Sequence, residues 1–137
     1  MRPILFKTSL MLVLILSFFG FIHAKEKVKI KERGRTIKVW ASAPIPEEVT
    51  NQTQAMALSR EAAIVVAQTQ LLNYIDKKKV KSGKTVEVME VAYHKLESEI
   101  KGLVKGAKVL STKWKEGRCW VKLAASRRDL KVILKKY

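Results

Sequence analysis

Two runs of alternating residues meet at Glu116-Gly117, and no other stretch restricts the fold of this chain as tightly. With a two-residue loop, opposite pairs are Lys115 and Arg118, Trp114 and Cys119, Lys113 and Trp120, Thr112 and Val121, Ser111 and Lys122, and Leu110 and Leu123. Side chains alternate between the faces of a strand. This register therefore puts Leu110, Thr112, Trp114, Cys119, Val121 and Leu123 on one side of a hairpin over Ala107–Ala125. Ser111, Lys113, Lys115, Arg118, Trp120 and Lys122 fall on the other. A slip by one residue scrambles the two sets. An isolated hairpin is marginal in water, so its apolar side calls for more strands and a helical cover.

Both are present in the chain. Over Thr36–Ala43, Ile37, Val39 and Ala41 alternate with Lys38, Trp40 and Ser42, which predicts a strand that Pro44 and Pro46 end. Lys25–Arg35 is a charged lead-in; Val28 and Ile30 alternate with lysines there, as in an edge strand or a solvated tail. Gln52–Ile75, capped by Thr50 or Asn51, is a helix with Leu58, Ala62, Val65, Val66, Thr69, Leu72 and Ile75 at three- and four-residue steps. Its alanines let another layer approach closely, which places it against the sheet. After a turn near Ser82-Gly83, Val88–Val104 predicts a second helix. Its inner face takes Met89, Ala92 or Tyr93, Leu96, Ile100, and Leu103 or Val104. Glu97 and Lys101 form an i,i+4 pair on it. Ser126 with Asp129 makes a capping-box-like start to a short last helix bearing Leu130, Ile133 and Leu134. The expected fold class is α+β: an antiparallel sheet of three to four strands with two main helices packed on one face. The order is strand, helix, helix, hairpin, short helix.

The 137 residues leave room for one such domain, over residues 36–137 after the lead-in at 25–35. Residues 1–24 have the layout of a secretory signal peptide. Arg2 and Lys7 give a basic start, Leu10–Ile22 is an apolar run, and Ala24 is a small residue before Lys25 at the expected cleavage point. The run is shorter than the roughly 20 residues that span a bilayer, although an uncleaved anchor beginning at Ile4 is the alternative reading. Lys25 stands where a lipoprotein needs cysteine, so lipidation is not expected. The expected address is periplasmic or secreted, in a bacterial cell envelope. Loss of Arg2 and Lys7, with no acid in that segment, takes the net charge from +16 to +14.

The Ala-rich helix (Ala55, Ala57, Ala62, Ala63, Ala67) runs into Leu71-Leu72-Asn73-Tyr74-Ile75. The second helix leads to Gly106-Ala107-Lys108-Val109-Leu110, and Trp114–Leu123 follows. This arrangement resembles the LPP-type twenty-kilodalton envelope lipoprotein family and the amino-terminal domain of the flagellar T-ring protein FlgT, across Thr36–Ala125. The chain departs from the lipidated members at Lys25. The resemblance implies a helix-on-sheet envelope domain and surface assembly or flagellar-ring association, with no shared catalytic motif.

Little else in the sequence points to chemistry. His94 is the one histidine beyond residue 24, which leaves a Ser-His-Asp triad or a histidine metal site without support. Glu47-Glu48 follows a proline just before the first helix, where acids suit the helix dipole, Glu97/Glu99 lie on the second helix, and Gly83-Lys84-Thr85 echoes only the end of a phosphate loop. Cys119 is a single thiol, expected buried and inert. No catalytic residue, metal or cofactor is expected, and the chain is not read as an enzyme.

Charge is the functional signal, since 28 Lys+Arg oppose 12 Asp+Glu. A field of that sign draws anionic partners. The densest run is Lys77, Lys78, Lys79, Lys81 and Lys84, a candidate anion-binding patch. A candidate partner face joins Trp40 to Lys113, Lys115, Arg118, Trp120 and Lys122, with Lys113 opposite Trp120 as a cation–π pair. The function expected is a non-catalytic binding or assembly role with an envelope protein or a second copy as partner. The alternatives are a basic module for anionic lipid or polysaccharide and, where the signal reading fails, a nucleic-acid-binding protein. Export makes nucleic acid an unexpected partner.

Overall fold

The computed structural model describes residues 28–137; the signal segment and its cleavage point at Ala24 and Lys25 lie outside them. Two hairpins form one four-stranded antiparallel sheet. β1 (Lys29–Arg33) and β2 (Thr36–Pro44) make the first, β3 (Lys108–Lys115) and β4 (Arg118–Ser126) the second, and the spatial order is β1-β2-β4-β3. Between the hairpins run α1 (Gln52–Asp76), α2 (Val86–Ala92) and α3 (His94–Lys105); α4 (Arg127–Lys135) follows β4. The α+β class and the element order thus match the expectation, and the lead-in supplies the fourth strand.

Turn chemistry closes both hairpins. Gly34 has φ +61° at the first central position of the β1–β2 turn, where glycine carries no Cβ penalty. Glu116 and Gly117 have φ of 56° and 70°, the pair of left-handed residues that matches the twist of flanking strands. The second hairpin keeps the expected register from Lys115–Arg118 to Ser111–Lys122. It then slips: Val109 pairs with Leu123, and Leu110 bulges out, 51% exposed. One extra residue in β3 thus hands Leu110's inner place to Val109.

The inner face holds Ile37, Val39, Ala41, Cys119, Val121 and Leu123, all buried. α1 lies across it, starting at Asn51, whose side chain accepts from the Gln54 amide. The stripe that meets the sheet corrects the sequence reading. Ala55, Ser59, Ala63, Ala67, Leu71 and Ile75 are buried, whereas Leu58 and Val65 are 41% and 58% exposed and Ala62 and Thr69 face water. The buried set is a strict i+4 ridge, and its small residues let helix and sheet pack close.

The second predicted helix is also two. Tyr93 leaves the helical region at φ −127°, ψ 94°, separating α2 from α3. Its ring meets that of Tyr137 with centroids 5.6 Å apart, and α3 turns Leu96, Ile100 and Val104 into the core. Ala92 and Tyr93 are exposed. Glu97 and Lys101 pair at 2.6 Å as expected, and Ser126 caps α4 by accepting from the Asp129 amide at 3.1 Å.

A carboxylate fastens the edge strand. Glu32 follows Val28 and Ile30 onto the inner side of β1. It accepts from the Tyr74 hydroxyl at 2.6 Å, Lys78 at 2.9 Å and Arg127 Nε at 3.0 Å. The hydrogen bonds from Tyr74 and Lys78 hold its carboxyl below the ordinary value. β1, α1 and α4 are thereby tied at one point.

A second acidic pair works the other way. Asp76, ending α1, and Glu90 of α2 each bury an oxygen that has no partner among the described residues. Burial, with the Asp76 charge beside it, pushes the Glu90 carboxyl up to about 7, and burial raises Asp76 as well. Glu90 therefore holds its proton more tightly folded than unfolded. Stability is greatest while the proton stays on, and falls as pH rises from the unfolded value near 4.5 through about 7. The expected loss is on the order of 1 kcal/mol once solvent screening is allowed for. Urea unfolding at pH 5.5 and pH 8 checks it, and Glu90→Gln is expected to flatten the difference.

Candidate basic sheet face and helix groove

The face opposite the helices is the candidate site. Strand alternation and pairing put Lys29, Lys31 and Arg33 of β1 beside Lys38 and Trp40 of β2. Trp120 and Lys122 of β4 stand opposite Ser42 and Trp40, and Lys113 and Lys115 of β3 stand opposite Trp120 and Arg118. Every charged strand residue on this face is a lysine or arginine; Glu32, the acid of β1, is on the other side. With strands about 4.8 Å apart, the basic face measures roughly 15 Å by 25 Å.

The structure unites the six expected face residues, Trp40, Lys113, Lys115, Arg118, Trp120 and Lys122, and adds Lys29, Lys31, Arg33 and Lys38 from the lead-in hairpin. Its tryptophans, Trp40 and Trp120, are half-buried. Lys29 and Lys122 place their ammonium groups 5.8 and 5.2 Å from the Trp40 ring centre. Lys115, not the Lys113 that the sequence pairing suggests, makes the cation–π contact, 5.9 Å from the Trp120 ring centre. Lys113 stands directly opposite Trp120, while the diagonal neighbour reaches over the indole. Trp120 Nε1 is buried without a partner among the described residues. Arg118 donates from Nε to the buried Ser42 hydroxyl at 3.0 Å, which fixes its guanidinium to the sheet. Trp114, on the inner side as expected, is still 39% exposed; it lies past the core and donates to Ser59 Oγ at 3.2 Å.

The lysine run behaves differently from its reading as one patch. Lys78 is paired with Glu32 and lies 4.6 Å from the Tyr74 ring centre, Lys77 caps α1, and Lys84 is exposed in the turn. Lys79 and Lys81 instead approach α4, where the Lys81 amide donates to the Leu134 carbonyl at 3.0 Å. They line a hollow of about 390 Å³ together with Lys131 and Lys135. A second hollow of about 410 Å³ shares those two lysines and is bounded by Gly34, Arg35, Arg127 and Arg128. The sequence reading missed this groove, because its arginines come from the β1–β2 turn and the start of α4, far apart in the chain.

The other candidates are dispersed. His94 is 91% exposed on α3 and stands 3.8 Å from Glu97. Glu99 is held by Lys136 and Tyr137, Glu47 and Glu48 are exposed, and Thr85 caps α2. Cys119 is buried, and burial pushes its thiol up. Among the described residues no group of His, Cys, Asp and Glu could hold a metal ion, and no helix is long and apolar enough to cross a membrane. Comparison with family models, with curated proteins and with solved structures gives no match for this chain.

Proposed function

We propose that this is an exported, non-catalytic cell-envelope protein that adheres through its open sheet face to an anionic lipid surface. The observation that carries the reading is the four-stranded face itself, on which every charged strand residue is cationic. A flat lattice of lysines suits a flat lattice of lipid phosphates, each lysine near such a surface contributing about 1 kcal/mol. The tryptophans support lipid over a protein partner. Their rings are roofed by ammonium groups, so the face offers charge first and apolar surface second. Trp40 and Trp120 suit the headgroup level, where amphipathic rings settle. The amino-terminal layout of Arg2, Lys7 and Leu10–Ile22 supports the envelope address, and the resemblance to LPP-type and FlgT-like domains is consistent with it.

Cosedimentation of the purified chain with vesicles tests this. The protein is expected to pellet with phosphatidylglycerol-containing vesicles and not with pure phosphatidylcholine, and to be released steeply as salt rises. Binding that ignores vesicles yet captures an envelope protein and persists in high salt would replace the lipid with a tryptophan-centred protein partner.

A further inference from the structure

The geometry points to a second anion site, separate from the sheet face: the groove along α4 binds a compact ligand carrying two or more phosphate groups. Helical periodicity lines up Arg127, Lys131 and Lys135 on one stripe with Arg128 beside it, and turns Asp129 away. Arg35 closes one end of the groove from the β1–β2 turn, and Lys79 and Lys81 close the other from the loop after α1. These walls are fixed to the helix by backbone bonds, Arg127 amide to Arg35 carbonyl at 3.0 Å and Lys81 amide to Leu134 carbonyl at 3.0 Å.

Arg127 is partly used, since Glu32 and the Gly34 carbonyl take Nε and Nη1 at 3.0 and 3.2 Å. Arg35, Arg128, Lys131, Lys135, Lys79 and Lys81 are exposed and have no acidic partner among the described residues. Like charges crowded along about 12 Å of helix repel one another until an anion enters. The pairing of two hollows through shared lysines favours a ligand with more than one charged group. The arginines favour phosphate, which takes the guanidinium fork in two parallel hydrogen bonds. Such phosphates reach the groove either on a free polyanion or on a lipid headgroup.

Titration of the full chain with sodium tripolyphosphate at fixed ionic strength, followed by calorimetry and thermal unfolding, tests the site. Saturable binding at least tenfold tighter than that of inorganic phosphate or citrate is expected, with a rise in Tm. Arg128→Ala with Lys131→Ala should weaken it tenfold or more, while Lys113→Ala with Lys115→Ala on the sheet face should leave it unchanged. Vesicles bearing cardiolipin separate the sources. If tripolyphosphate displaces the chain from them and the groove variant weakens binding, the phosphates are lipid-borne; if tripolyphosphate binds and the groove variant has no effect on vesicles, they are free. Citrate binding as tightly as tripolyphosphate, or equal losses from groove and sheet-face variants, overturns the proposal while leaving the sheet-face reading to its own test.

Discussion

The combined replacement of Lys38, Lys113 and Lys122 by alanine is expected to lower partition onto phosphatidylglycerol vesicles about a hundredfold. Three lysines at about 1 kcal/mol each amount to ~3 kcal/mol, which is that factor. All three project from the sheet face away from the core, one from each of three strands, so the fold keeps its buried contacts. Removing like charges relieves repulsion, which offsets the lost contact of Lys122 with the Trp40 ring, and Tm should change little. Replacing Lys95 and Lys105, which are exposed on α3 on the helical side, is the control. Those two lie behind the sheet from a membrane that meets its open face, and charges are screened over about 10 Å at 0.1 M salt. A much smaller loss is expected from them, and vesicle cosedimentation reads both.

The second large effect is on stability. Ala67→Leu is expected to cost about 2–3 kcal/mol, seen as a drop of roughly 10 °C in Tm. Ala67 is fully buried on the ridge by which α1 meets β2 and β4, and a larger side chain there must push the helix off the sheet. Val65→Ala, two residues earlier on the same helix, removes two methyl groups from a side chain that is 58% exposed and should cost no more than about 0.5 kcal/mol. A reversed ranking would restore the stripe through Leu58 and Val65 as the packed one.

That contrast shows why this helix was the hardest element to read. α1 is apolar on more than one side, so spacing alone offers two stripes, and the larger residues look like the better core. The sheet decides between them. Its own inner residues fill the layer, and only the ridge of Ala55, Ser59, Ala63 and Ala67 brings the backbones near enough. The hairpin was easier, because alternation and a Glu-Gly turn fix the register without outside help. It failed only at Leu110, where a bulge adds a residue that no period-two rule anticipates. The break at Tyr93 carries no proline or glycine to announce it. Of the site, the tryptophans and the β3–β4 cations were legible from alternation. Which lysine roofs Trp120, and which lysines join the arginines of α4, depend on neighbours from distant parts of the chain.

Lysine acetylation footprinting with and without phosphatidylglycerol vesicles puts the membrane-facing surface to the most direct test. Vesicles are predicted to shield Lys29, Lys31, Lys38, Lys113 and Lys122 from the reagent, while Lys95, Lys101 and Lys105 on α3 react as in free protein. Shielding of the α3 lysines with full reaction on the sheet would contradict it.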